Sequence, residues 1–230
     1  MKNTPLMPFI QQLKNEIDQK HLLKHPFYQM WEKGTLPLSV MQRYAEQYYH
    51  LEKSFPVFLS LMHSNCEDFA VRQAITDNLY DEEHGKENHR ELWLQFGEQI
   101  GAKRNEMMEC ALLPETQKTI ITFKNLSKKS WLSGSAALAA YESQIPVIAQ
   151  KKIEGLQKHY GIVKSPSFFV LHEKLDVDHT NTWWNIIEQH AGTPEKKQEV
   201  LNAVKEGRDA LWQFLDGICR EYLPGQMLTC

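Results

Sequence analysis

Ser135-Ala-Ala-Leu-Ala-Ala-Tyr-Glu142-Ser-Gln-Ile-Pro146 is the stretch whose reading decides the fold. Its residues are small, so a helix built from them lets neighbouring helices approach closely. It also carries one carboxylate, Glu142. An ionised carboxylate among apolar groups is costly unless it is paired or bound to a metal. Taken alone, Glu142 reads first as half of a structural ion pair. The helical pattern runs on from Ala137 to His159, with Pro146 expected to kink it.

The same periodicity extends in both directions. Phe9, Ile10, Leu13 and Ile17 form one stripe; Met41, Tyr44, Tyr48 and Leu51 form another, continued by Phe55, Phe58, Leu59 and Met62 past Pro56, which is expected to kink the helix. Ala74, Ile75 and Leu79 lead to Leu92 and Phe96, and Ile120, Ile121, Phe123 and Leu126 follow Pro114. Ser165-Pro166 predicts a helix start running to about Gln189, because serine caps and proline suits the first turn. Thr193-Pro194-Glu195 repeats that signature and opens a last helix to about Phe214. No run combines alternation with turn punctuation, so no strand is expected. The expectation is one all-α domain over 1–230, a compact bundle of seven or eight helices with its core at about 5–218 and a patternless tail at 222–230.

Composition narrows the function classes. Lys and Arg total 26 against 29 Asp and Glu, a formal charge of −3, which leaves no basic excess to hold nucleic acid. The start, MKNTPLMPFIQQLKNE, has no apolar core of signal-peptide length, and no stretch is long enough to span a bilayer. The four cysteines, Cys66, Cys110, Cys219 and Cys230, form no CxxC pair. A cytoplasmic protein with reduced thiols is expected, without nucleic-acid or membrane partners.

Ten histidines is a high count, and three of them keep notable company. Asp81-Glu82-Glu83-His84-Gly85-Lys86-Glu87-Asn88-His89 places Glu82 and His89 seven apart, two turns of a continuous helix at about 3.6 residues per turn. They would then share a face, with Glu83, His84 and Glu87 left to solvent. His172-Glu-Lys-Leu-Asp176-Val-Asp-His179 puts His172, Asp176 and His179 at i, i+4 and i+7 on one face, with Asp178 pointing elsewhere. Three carboxylates (Glu82, Glu142, Asp176) and three imidazoles (His89, His172, His179) without thiolate suit iron or manganese. Six ligands exceed the needs of one tetrahedral zinc and suit two ions between facing helices.

These motifs, DEE-x5-H, YESQIP and H-x3-D-x2-H in this order, resemble the haem-oxygenase-like di-metal oxidases. Within them the likeness is to the group of the chlamydial protein associating with death domains, related to PqqC and TenA proteins. The resemblance covers about Phe9 to Phe214 and fills all six ligand positions. It implies a seven-helix haem-oxygenase-like bundle without haem, two bound metal ions (iron, or manganese), and dioxygen with a reductant as co-substrates. It implies an oxidase that makes para-aminobenzoate for folate, with a tyrosine of its own chain as ring donor and a lysine as amine donor. Tyr28 in His25-Pro-Phe-Tyr28 matches the sacrificed tyrosine, Tyr44 and Tyr141 match nearby tyrosines, and Lys152 matches the lysine, with Lys151 adjacent to it. Lys152 lies ten residues past Glu142, about 80° around a helix from it. The ordinary readings of these residues are core tyrosines and a solvated lysine. A homodimer is the group's expectation, and so is a death-domain-type partner, of which the residues show no sign.

Other readings stand beside this one. A TenA-like hydrolase needs a nucleophilic cysteine on the core helix, and none lies between Cys110 and Cys219. A PqqC-like oxidase without metal leaves six ligands unexplained. A haem oxygenase would use His21 or His25, which does not account for the acidic residues. An oxidase acting on an external small molecule, or an interaction module, keeps the same fold.

Overall fold

The computed structural model describes residues 8–224. Among them are eleven α-helices and no strand: α1 (Pro8–Gln19), α2 (Pro26–Lys33), α3 (Leu38–Ser64), α4 (Phe69–Glu83), α5 (His89–Gln99), α6 (Arg104–Glu109), α7 (Pro114–Lys129), α8 (Trp131–Glu142), α9 (Ile145–His159), α10 (Ser167–His190) and α11 (Pro194–Tyr222). A 3-10 turn, Leu22–Lys24, precedes α2. The number exceeds seven or eight because stretches that read as continuous are divided and because α2 and α6 are short. Residues 5–7 of the expected core and 225–230 of the expected tail, with Cys230, lie outside the described residues.

α8 is the axis of the bundle. Every residue from Leu132 to Glu142 is buried, as the small-residue composition predicts. It packs against α7, α10 and α11, while the long α3 packs against α4, α5 and α7. The close approach is literal at Gly207 of α11, where a methyl group would lie 3.3 Å from the Ala137 backbone. α3 runs continuously through Pro56 and buries Tyr44, Tyr48, Leu51, Phe55, Phe58, Leu59 and Met62, the expected stripe.

Local chemistry sets the ends. Thr193 caps α11 as predicted, accepting from the Lys196 N–H with Pro194 in the first turn. Ser165 does not cap α10. That helix starts one residue later, at Ser167, with Pro166 in the cap position, and the Ser165 hydroxyl accepts from Gln157 instead.

Two expectations of continuity fail. Glu82 and His89 are not on one helix: α4 ends at Glu83, Gly85 turns the chain at φ +84°, and Asn88 caps α5 by accepting from the Glu91 N–H. Likewise α8 ends at Glu142 and α9 starts at Ile145, so Pro146 sits in the first turn of a new helix, where its missing N–H costs nothing. The Gln144 side chain spans this break, donating to the Ala140 carbonyl at 2.7 Å and accepting from the Leu22 N–H at 2.8 Å.

No helix among the described residues is long and apolar enough to cross a membrane. Cys66, Cys110 and Cys219 are free thiols.

Candidate metal centre

The breaks lie around one buried region, in which the only group of three acidic or imidazole donors within 4.8 Å of one another, among the described residues, is Glu52, His89 and His172. Glu82 lies in the last turn of α4, His89 begins α5, Glu142 ends α8, and His172, Asp176 and His179 project from one face of α10; all six are buried. His89 Nδ1 lies 2.7 Å from Glu82 Oε2, so the turn brings together the pair that a continuous helix was expected to align. The His89 and His172 rings meet edge to face with centroids 4.5 Å apart. Glu82, Glu142, His172 and Asp176 line a cavity of about 20 Å3 with Tyr48, Glu52, Phe55, Tyr141 and Ile145. Glu83, His84, Glu87 and Asp178 are exposed, as expected.

Hydrogen bonds orient the donors. His172 Nδ1–H donates to the Phe168 carbonyl at 2.7 Å, which fixes the tautomer and leaves Nε2 as the free lone pair. His179 Nε2 is held by Asp81 at 3.2 Å, which leaves Nδ1 toward Asp176. Glu142 accepts from Trp183 Nε1–H and from Asn78 at 3.4 Å. Both hydrogen-bond partners are neutral; the cationic neighbour left to the ion-pair explanation of Glu142 is His179, which burial lowers but Asp176, Glu142 and Asp81 together raise to about 9. His89 Nδ1, His179 Nδ1 and Asp176 Oδ2 are buried without an aligned hydrogen-bond partner.

The electrostatics calls for a cation. Burial raises the Glu82, Glu142 and Asp176 carboxyls, and the Asp176 charge pushes Glu82 and Glu142 further up. Glu82 and Glu142 also stand at helix C-termini, where the partial charge is already negative. Burial lowers His172 and His89, keeping both imidazoles neutral and able to ligate. Oxygen and imidazole donors, orphaned buried atoms and crowded carboxylates together fit a resident iron or manganese.

Two contributors escaped the sequence reading. Glu52 of α3 is buried beside this cluster, and one of its oxygens lies with one nitrogen each of His89 and His172 in a group spanning at most 4.8 Å. Its signal was its place four residues after Tyr48 on the apolar stripe of α3. Asp81 orients His179 from the surface.

Next to the centre is a second buried cluster. Lys152 is buried, its Nζ donating to Tyr44 Oη at 2.8 Å, and Tyr44 Oη lies 3.2 Å from Tyr28 Oη. Six aromatic rings surround the amine, with the centroids of Phe169, Tyr44 and Tyr28 at 4.9, 5.0 and 5.2 Å and those of Tyr48, Trp31 and Trp93 slightly farther. Burial lowers the Lys152 ammonium to about 7, with Glu52 opposing. Burial raises the phenols of Tyr28, Tyr44, Tyr48 and Tyr141. Tyr141 pairs with Tyr48 through their hydroxyls. The two lysines of the doublet face opposite ways: Lys151 reaches Glu154 at the surface, and Lys152 turns inward. His21 and His25 do other work. His21 caps the 3-10 turn, and His25 caps α2 while binding Asp216 at 3.0 Å.

The family model described as iron-containing redox enzyme matches residues 42–212. A 4-aminobenzoate synthase of Nitrosomonas europaea is 42% identical over 226 residues, covering 93% of this chain and 92% of its own. A 4-aminobenzoate synthase of Chlamydia pneumoniae is 34% identical over 218 residues, covering 94% and 97%. Among solved structures, a TenA homologue from Pseudomonas syringae superposes with a TM-score of 0.78 at 17% identity, covering 96% of each chain. A domain from Shewanella denitrificans, described as having a heme oxygenase-like fold, superposes at 0.75 with 18% identity, covering 96% and 95%. The all-α, haem-oxygenase-like expectation therefore holds, and the chain belongs to the family of iron-containing redox enzymes.

Proposed function

We propose that this chain is a 4-aminobenzoate synthase that builds its product from its own side chains, Tyr28 giving the ring and Lys152 the amino group. One observation carries the reading: a neutral-capable amine and a phenol, both buried, are joined through the Tyr44 hydroxyl beside a carboxylate–imidazole cluster. The names of the relatives point to the same product.

Two metal ions would be held by Glu82, His89, Glu142, His172, Asp176 and His179. When bound, iron or an iron–manganese pair supplies activation of dioxygen, with a reductant as co-substrate. The chain's own residues do the rest. Tyr44 accepts from Lys152 and stands between its amine and Tyr28, so a proton can be held at either end. The aromatic ring set excludes water from the amine, which keeps its lone pair available near neutral pH. Tyr141 and Tyr48 wall the cavity and keep their protons, because burial disfavours phenolate.

The competing reading, an external small-molecule substrate, meets the size of the cavity. About 20 Å3 is far below the roughly 150 Å3 of a cavity that takes up benzene, so such a substrate would have to sit in the outer cleft of about 210 Å3 that shares Glu52 and Glu82 with it. Homodimerisation and a cytoplasmic location belong to the same proposal, and light scattering tests the first.

The experiment is intact-protein mass spectrometry before and after exposure to Fe(II), dioxygen and a reductant, with product detection in parallel. The wild type loses side-chain mass and releases an aromatic amine; Tyr28→Phe does neither. Equal release from Tyr28→Phe removes Tyr28 as the donor, and release without mass loss favours the external substrate.

A further inference from the structure

Six ligands for two ions leave unexplained why α3 brings a seventh candidate into the same cluster. Glu52 comes from the helix that also carries Tyr44 and Tyr48, and it is buried. One of its oxygens forms, with a nitrogen of His89 and a nitrogen of His172, a three-donor group in which no two atoms are more than 4.8 Å apart. The imidazoles are prepared for such a role. His172 has committed Nδ1 to the Phe168 carbonyl, and His89 Nδ1 is buried without an aligned hydrogen-bond partner.

Glu52 also occupies a particular boundary. With Glu82 it lines the small inner cavity, and with Glu82 it lines an outer cleft of about 210 Å3 bounded by Lys53, Pro56, Glu83, Asn88 and Arg90. A cation coming from solvent through that cleft meets the Glu52 and Glu82 carboxylates before the imidazoles.

We infer that Glu52 is a metal ligand of this chain, the third donor beside His89 and His172, standing on the solvent side of the centre. The inference rests on the metal-centre reading above. The site takes a divalent cation of the iron or manganese type, since one carboxylate and two imidazoles are an oxygen–nitrogen set. The rival role for Glu52 is counter-charge to the Lys152 ammonium, whose field it does feel. That role requires no metal contact.

Metal binding separates the two. Metal-free full-length wild type and Glu52→Gln are titrated with Mn(II), with free ion read by electron paramagnetic resonance and total metal by elemental analysis. Glutamine keeps the shape and removes the anionic donor. Wild type takes up two ions; Glu52→Gln holds one of them at least tenfold more weakly and leaves the other unchanged. The metal-free variant melts no lower than wild type, because one of four crowded carboxylates has been neutralised, so lost affinity is not lost folding. Glu52→Leu serves as the second variant and shows the same selective loss. If both variants bind two ions as tightly as wild type, Glu52 is not a ligand, and a shifted Lys152 titration in Glu52→Gln then assigns the counter-charge role. If wild type itself binds no Mn(II) or Fe(II), the centre and this inference fall together.

Discussion

Lys152→Met replaces a buried amine by an apolar chain of similar length, and the structure fixes how its effect depends on pH. Lys152 is fully buried among aromatic rings, and burial brings its ammonium from 10.5 down to about 7. In the unfolded chain the amine returns to its ordinary value. Between pH 7 and 10.5 the unfolded state therefore binds more protons, and wild-type stability rises with pH across that window. Below pH 7 both states are protonated and the full penalty of burying the charge is present. At about 1.36 kcal/mol per unit, that penalty is about 5 kcal/mol, falling to about 2 kcal/mol at pH 9. The lost hydrogen bond to Tyr44 returns about 1 kcal/mol. Lys152→Met is then more stable than wild type by about 4 kcal/mol at pH 6 and about 1 kcal/mol at pH 9. Urea denaturation of the metal-free proteins, followed by circular dichroism at both pH values, measures the difference. Groups common to both proteins largely cancel. A stability difference that does not change between pH 6 and pH 9 would refute the reasoning, and so would a wild type that is the more stable at pH 6.

Three further outcomes are expected. Glu142→Ala and His172→Ala each abolish metal loading, read by elemental analysis after reconstitution with Fe(II); a variant that still holds two ions removes its residue from the centre. Lys151→Ala leaves product release and stability unchanged, because that side chain meets only Glu154 at the surface, whereas Lys152→Ala stops release. Gly207→Val destabilises the fold by about 1–3 kcal/mol in thermal or chemical melts, since its Cβ lands 3.3 Å from the Ala137 backbone and its methyls have nowhere to go.

Much of this molecule was legible in the chain because its signals are local. The stripe of α3, the Thr193-Pro194 start of α11 and the small residues of α8 each follow from a few neighbours in sequence. The spacing of His172, Asp176 and His179 worked because α10 is unbroken there. Glu82 and His89 meet, though not as a continuous helix would bring them together: the seven-residue interval suits two helical turns, and it also suits a tight loop that folds back at Gly85. Glu52 was missed because its stripe reads as aromatic core, and an acidic residue one turn beyond Tyr48 gains meaning only when α5 and α10 arrive with His89 and His172. The ring of aromatics around Lys152 is assembled from α2, α3, α5 and α10, and no interval within α9 announces it.

The tight packing around Tyr28 bears on the lifetime of the molecule. Tyr28 is only 4% exposed, and its ring contacts Phe27 edge to face. If that ring leaves as product, the spent chain keeps a hole where an aromatic side chain stood. Losses of this kind cost on the order of 3–5 kcal/mol, a large part of the roughly 5–15 kcal/mol that holds a domain folded. A used copy would open more often than a fresh one and expose itself to proteolysis, so the reaction would label its own exhausted protein for removal.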